Sequence, residues 1–282
     1  MVPVMTPLNQ LQFKGSHNSY QRNEDIHVQI YGDIAFPYQG GCHGLEFDFT
    51  RHTDGSGGKA ASYFEVTHDQ GGDGSPLAAY FGYLLSYHLL HPDHDVVFVT
   101  LCIKSQDGDV TAFPSEFNAY IGEWFLESLL FTPSMMLQDE PNLRVAAERH
   151  GWPTRESLVG KFIFCVSGTE KWKAYYADSN VFQQLCFADL DVDVAKANPD
   201  LTLFSSRVVA NMFLSSGHHT IWAKTVPQLR SAGLLVRGYQ LDSETVWDQA
   251  LAAGVNILAT DEVTGHSWAH VPTPPFSIAP PL

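Results

Sequence analysis

Eight apolar runs of strand length, each separated from the next by other segments and often by a stretch with helical spacing, constrain this chain more than any other feature. They are Leu11 to Lys14, Gly44 to Phe49, Val96 to Lys104, Lys161 to Ser167, Leu185 to Asp189, Val208 to Leu214, Leu234 to Gln240 and Asn256 to Ala259. Several are continuous in Val, Ile, Leu and Phe rather than alternating with polar residues. That is the pattern of strands covered on both faces, as in a parallel sheet. Ser75-Pro76 reads as the cap and first turn of a helix over Leu77 to Leu90. Further helices are expected over Ser115 to Leu130, Leu143 to His150, Thr225 to Ala232 and Ser243 to Ala253, the last with Asp242 as its cap and Gly254 as its stop. Strand and helix alternating this many times predict an α/β fold, a (β/α)8 TIM-type barrel. No internal repeat or separating linker appears, so residues 1–282 are expected to form one unit, with a Pro-rich tail from about 271 on the surface. Two glycine-rich loops lie at Thr53 to Lys59 and Gln70 to Ser75.

Charge narrows the partners. Sixteen Lys and Arg against 31 Asp and Glu give a net charge of −15, with 44% hydrophobic and 17% charged residues. The hydrophobic content excludes a disordered chain. The charge excludes nucleic acid as a partner, because phosphate contact needs a basic stripe, and argues against tight docking on an anionic membrane. An anionic substrate stays compatible where a few cations or a metal ion dominate the local field. No apolar stretch reaches the roughly 18 residues of a membrane-spanning helix. The start MVPVMTPLNQLQFKG lacks the basic-then-apolar pattern of a secretory leader. Cys42, Cys102, Cys165 and Cys186 form no CxxC pair, so a zinc knuckle is not expected, and the compartment stays open between secreted and cytoplasmic.

In a parallel barrel, functional groups gather at the C-terminal ends of the strands. The first strand is followed by Gly15-Ser16-His17-Asn18-Ser19-Tyr20, and the second contains Glu46 and Asp48. Two positions apart on a strand, these carboxylates point to one face, and flanking Leu45, Phe47 and Phe49 make the strand a packed one. Two acids facing the same way repel each other, and a hard divalent cation such as Ca²⁺ or Mg²⁺ resolves that repulsion. Solvated acids at a strand end are the simpler alternative. Phe64 to Asp69 reads as a short extension carrying His68. His17 and His68 stand out among 13 histidines because each lies at an expected strand end. Two imidazoles flanking a phosphodiester can share general-base and general-acid work near neutral pH. His88, His91, His94, His150, His218 and His219 are read as structural.

The run Lys14 to Tyr20, then Leu45-Glu46-Phe47-Asp48, then a strand ending in His68, resembles the phosphatidylinositol-specific phospholipase C-like phosphodiesterases, in particular their calcium-dependent bacterial branch. Leu143-Arg144, Gly151-Trp152-Pro153, Leu158 to Lys161 and Gly254 to Asp261 add to the likeness, which runs from about Leu11 to Val263. The resemblance implies a distorted barrel in which the inositol 2-hydroxyl attacks phosphorus, releasing diacylglycerol and a cyclic inositol phosphate. It carries His17 and His68 over as catalytic histidines and Asn18, Glu46 and Asp48 as ligands of a divalent cation, Ca²⁺ first and Mg²⁺ as the alternative. Lys104, Arg237 and Tyr239 match substrate-binding positions. Asp261 either orients a histidine or caps the loop after the last strand. The implied partner is a phosphodiester small molecule or a lipid headgroup, with transient membrane contact and a monomeric enzyme.

One departure stands out. Relatives carry an acid two positions before the lysine that matches Lys104; here Cys102 occupies that position. A thiol is a poor ligand for Ca²⁺. Asp69 and Asp107 are nearby substitutes. Two other readings therefore stay open: a glycerophosphodiesterase or phospholipase D-like lyase, and a barrel that has lost catalysis and serves as a binding module.

Overall fold

In a computed structural model, the structure describes residues 5–31, 41–53, 62–68, 74–106, 108–192, 206–214 and 219–282. Eight parallel strands form the barrel: β1 (Leu11–Ser16), β2 (Gly44–Thr53), β5 (Val97–Gln106), β6 (Phe162–Gly168), β7 (Cys186–Val192), β8 (Val209–Phe213), β9 (Leu235–Tyr239) and β10 (Ile257–Thr260). Each pairs in parallel with its neighbours, and β1 meets β2 to close the ring. The expected strands are all present, within a few residues of their sequence bounds. Three more strands are antiparallel additions. β3 (Ser62–Val66) pairs with the end of β2, β4 (Ser75–Pro76) with β3, and β11 (Phe276–Ile278) with β1.

Closure is the distorted point. The β1–β2 pairing is the single register Gly15↔Gly44. A Cβ on Gly44 would lie 2.7 Å from Ile257 Cγ2 and 3.2 Å from the Gly15 Cα, so only glycine lets these strands touch. Below that point β11 takes the place of β2: Phe13 pairs with Ile257 on one edge and with Phe276 on the other. The Pro-rich tail is therefore not a surface appendage. Phe276 and Val271 are buried, and the Phe276 ring packs on Phe13 at 5.1 Å. A three-residue strand between prolines carries too little pattern to be seen in sequence.

Helices α1 (Ile26–Tyr31), α2 (Leu77–Leu90), α3 (Phe113–Trp124), α4 (Pro133–Leu137), α5 (Leu143–His150), α6 (Glu170–Ala177), α7 (His219–Ser231) and α8 (Glu244–Ala253) accompany the barrel. Four expectations are corrected. Ser75-Pro76 belongs to β4, and Pro76 caps α2 without a side-chain hydrogen bond. α3 stops at Trp124, not Leu130: Phe125 turns extended to insert among Phe81, Phe162 and Phe164, and Leu126 is exposed. α7 starts at His219, six residues before Thr225, because Trp222, Val226 and Leu229 bury one stripe that continues across Pro227. Ser243, not Asp242, caps α8 by accepting from the Val246 N–H, while Gly254 closes it at φ 87° as expected. No described helix is long and apolar enough to cross a membrane.

The strand parity sorts the core. Outward residues such as Phe47, Phe49, Leu101 and Phe164 pack under α2 and α3, and Ala210, Met212 and Leu258 pack under α7 and α8. Inward residues at the N-terminal ends are apolar: Phe13, Phe98, Ile163, Phe187, Val209, Leu235 and Ile257 fill the barrel. One or two steps further along the same parity the interior turns polar, with Glu46, Asp48, Thr100, Cys102, Ser167, Asp189, Asn211 and Arg237. All four cysteines are buried free thiols.

Buried His43, just ahead of β2, makes stability depend on pH. Burial pushes its imidazole from 6.5 down to about 4. The unfolded chain takes up this proton near 6.5 and the folded one only near 4, so stability falls as pH drops through that window. The expected loss is about 3 kcal/mol. Urea unfolding of wild type and His43→Gln at neutral pH and near pH 4 measures it: the variant should lose about 3 kcal/mol less on acidification, and equal losses would remove His43 from the account.

Candidate active site

The loop after β1 is shaped to reach the second strand. Asn18 takes left-handed backbone angles (φ 46°, ψ 55°), a conformation asparagine tolerates. Its N–H donates to Glu46 Oε2 at 3.2 Å, and the Ser19 hydroxyl accepts the Glu46 N–H at 2.9 Å. This pins His17 over the barrel mouth. His17 Nδ1 lies 2.9 Å from Asp261 Oδ1, beyond β10, and its Nε2 lies 3.8 Å from Glu46 Oε2. Of the two sequence readings of Asp261, contact with the histidine is the one the geometry has. Asp242, once expected as a helix cap, instead accepts from the Asp261 N–H at 2.7 Å and so supports that contact. Arg22 also reaches Asp261 Oδ1, at 3.1 Å. Burial raises the Asp261 carboxyl, but the His17 hydrogen bond and charge outweigh it and hold the group below its ordinary value.

His68 approaches from the opposite carboxylate. It follows β3, whose pairing with β2 continues as the Thr67 N–H donates to the Asp48 carbonyl at 3.1 Å. Its Nε2 lies 3.9 Å from Asp48 Oδ2, and its side chain is about half exposed (52%), against 8% for His17. One ring is thus enclosed and the other faces the opening.

Between them the acid pair is held by cations. Arg237 donates from Nη2 to Glu46 Oε2 at 2.7 Å and from Nη1 to Asn211 Oδ1 at 2.8 Å. Lys104 Nζ sits 3.1 Å from Asp48 Oδ2, which also accepts the Tyr20 hydroxyl at 2.9 Å. Burial pushes Glu46 up, yet Arg237 and then His17 prevail, so its carboxyl sits below the usual range. Asp48 goes the other way: burial, then the Glu46 charge, raise it against Lys104 and Tyr20. Burial pushes Lys104 down, but Cys102 and Asp48 more than offset it, so the ammonium is held protonated. Asp48 Oδ1 is buried with no hydrogen-bond partner. Tyr239 stacks on His17 with ring centroids 5.7 Å apart and lies under the Arg237 guanidinium at 5.3 Å.

The residues given catalytic, ligand or substrate-binding roles from sequence converge here: His17, Asn18, Glu46, Asp48, His68, Lys104, Arg237, Tyr239 and Asp261. Asn18 enters through its backbone N–H. Asp69 and Asp107 lie outside the described residues, as do most of both glycine-rich loops and His218. Sequence reasoning missed Tyr20 and Arg22 in the loop after β1, and Ser167, Asp189 and Asn211 on β6 to β8. Asn211 donates to Ser167 Oγ at 3.2 Å, and Asp189 is paired with buried Lys173 of α6 at 2.7 Å. Counting inward parity past each apolar residue would have found the strand members. Lys173 sits on a helix whose pattern was not recognised.

Glu46, Asp48 and Cys102 each offer a ligand atom within 4.8 Å of the others, the arrangement of a group that could hold a metal ion. Asp48 and Cys102 are direct partners in the β2–β5 register, which fixes their side chains on the same inward face. The unpartnered Asp48 oxygen is what a cation would satisfy, so these residues fit a divalent ion.

No family model matches the chain, and no curated protein matches it in sequence. Solved structures do. A calcium-dependent phosphoinositol-specific phospholipase C from a Gram-negative Pseudomonas species superimposes with a TM-score of 0.71 at 19% identity, covering 96% of each chain. A Ca²⁺-dependent phosphatidylinositol-specific phospholipase C from Streptomyces antibioticus gives 0.67 at 17% identity over 91% of this chain and 95% of that one. A glycerophosphodiester phosphodiesterase from Agrobacterium tumefaciens gives 0.51 at 13% identity, over 89% and 95%. The chain therefore has the fold of the calcium-dependent bacterial phosphoinositol-specific phospholipases C.

Proposed function

We propose that this barrel is a metal-assisted phosphodiesterase that cleaves a phosphatidylinositol-like phosphodiester to a cyclic phosphate. One observation carries the reading: the Nε2 atoms of His17 and His68 flank the two sides of a single acid pair, at 3.8 Å from Glu46 and 3.9 Å from Asp48. Asp261 accepts the Nδ1 proton of His17, which leaves Nε2 as the basic nitrogen. His17 takes the proton from the inositol 2-hydroxyl as its oxygen bonds to phosphorus. His68, at the open side, gives a proton to the glycerol oxygen as the phosphorus–oxygen bond breaks and diacylglycerol leaves. Lys104 and Arg237 keep positive charge beside the phosphoryl oxygens, and Tyr239 offers a flat face to the headgroup ring. Glu46 and Asp48, with Asn18, would hold the divalent cation, Ca²⁺ or Mg²⁺, which when bound neutralises charge building on the phosphoryl group.

The phospholipase and glycerophosphodiesterase neighbours support the phosphodiesterase class, and the HNSY segment favours the inositol substrate over the glycerophosphodiester one. The enzyme acts as a monomer and touches the membrane transiently. Phe213, half exposed and 5.7 Å from Tyr239, gives the mouth an apolar edge that the −15 charge does not provide.

The test is ³¹P NMR of products from phosphatidylinositol, glycerophosphoinositol and lysophospholipids, with and without EDTA. A cyclic phosphodiester from the inositol substrates, slowed by EDTA at least about 100-fold, is expected. Turnover confined to choline or ethanolamine lipids would move the chain to the lyase reading. No turnover on any substrate would leave the binding module.

A further inference from the structure

Cys102 has no place in an all-oxygen calcium site, yet it lies inside this one. Its thiol is buried, opposite Asp48 in the strand register, with its sulfur within 4.8 Å of a ligand atom from each acid. Ca²⁺ takes about six to eight oxygen ligands. Here the side-chain carboxylates are two, and one oxygen of each is already engaged: Glu46 Oε2 by Arg237 and the Asn18 N–H, Asp48 Oδ2 by Tyr20 and Lys104. Even with a side-chain oxygen from Asn18 added, the protein oxygens left free fall short of a calcium shell unless several waters or substrate oxygens complete it. Among the described residues the group matches a different count: three protein ligands, two oxygens and one sulfur, with a remaining position for water or substrate. Three protein ligands with one position left open is the ligand count of catalytic zinc centres, and both thiolate and carboxylate are zinc ligands.

We propose that Cys102 is a metal ligand and that this centre binds a thiolate-accepting divalent ion, Zn²⁺ or Co²⁺, more tightly than Ca²⁺. The buried, unpartnered Asp48 Oδ1 marks independently where an ion belongs. On binding, the sulfur–hydrogen bond gives way to a sulfur–metal bond and the proton leaves to solvent. Arg237 and Lys104 already neutralise Glu46 and Asp48, so a dication with oxygen ligands alone leaves the site at +2, whereas one that takes a thiolate leaves it at +1. This rests on the phosphodiesterase reading and replaces its Ca²⁺ or Mg²⁺ with a thiolate-accepting ion.

The experiment is a binding titration, read without turnover. Apo protein, stripped with EDTA and desalted, is titrated anaerobically with Co²⁺ while the near-ultraviolet thiolate-to-cobalt charge-transfer absorption is followed. Calorimetry then gives the affinities for Co²⁺, Zn²⁺ and Ca²⁺. We expect a charge-transfer band saturating at one equivalent, absent in Cys102→Ser, and Co²⁺ and Zn²⁺ bound at least about tenfold tighter than Ca²⁺. Cys102→Asp should reverse the order, and circular dichroism confirms that both variants are folded. A wild-type protein that binds Ca²⁺ more tightly, shows no band with bound Co²⁺, keeps the band in Cys102→Ser, or binds none of the three ions overturns the proposal. In the first three cases the phosphodiesterase reading survives, since activity is measured separately.

Discussion

His17→Ala and His68→Ala should each lower kcat/KM on phosphatidylinositol by about 10²- to 10⁴-fold, the range a positioned acid or base supplies. The two losses have different structural costs. His68 is half exposed, so its removal should leave the melting temperature unmoved. His17 is enclosed, stacked on Tyr239 and bonded to Asp261, so its removal leaves a small gap and takes one of two partners from Asp261, which Arg22 still reaches. About 1 kcal/mol is expected there, some 2 °C in a chain of this size. Neither cost can account for a thousandfold loss of rate. Near-full turnover by either variant would remove that ring from the chemistry. Asp261→Asn separates the roles further: it keeps the shape beside His17 but loses the charge, and it should slow the reaction without touching His68.

Arg237→Met is expected to have the largest effect on stability. The guanidinium is buried, with both of its terminal nitrogens bonded inside the barrel, one to buried Glu46 and one to Asn211. Methionine fills much of the space and none of the charge. Stranding a buried carboxylate in this way costs about 3–5 kcal/mol, which lowers the melting temperature by roughly 5–8 °C. Arg149→Ala serves as the contrast, since Arg149 pairs with Glu140 on the surface and is 67% exposed; under about 1 kcal/mol is expected. Glu46→Gln added to Arg237→Met should recover stability, because the lost pairing then has no charge to strand. A drop no larger than that of Arg149→Ala would mean that water, not Arg237, solvates Glu46.

The barrel was legible because its strands are buried on both faces. Runs such as Val97–Gln106 and Phe162–Gly168 cannot be half-exposed surface strands, and their apolar content announces it. What failed was local. The helical spacing of Ser115 to Leu130 runs on past Trp124, but burial of Phe125 among three aromatic rings overrides the period. β11 was invisible because its partner is 265 residues away in sequence (Ser277↔Gln12) and it repairs a seam that only the closed barrel possesses. The site followed the same logic. His17, Glu46, Asp48 and Asp261 stand in short, recognisable segments at strand ends. Asn211, Ser167 and Asp189 are single polar residues in apolar runs, each satisfied by a residue on another element. Such a residue looks like noise until the inward parity of all eight strands is laid side by side.

The arrangement of two imidazoles about one phosphorus is tested most directly by a crystal structure with a divalent ion and myo-inositol 1-phosphate. The phosphate should sit above Glu46 and Asp48, with oxygens within about 2.6–3.2 Å of both the His17 and the His68 ring. Phosphate bound elsewhere, or held by one of these rings with the other turned away, would contradict the account.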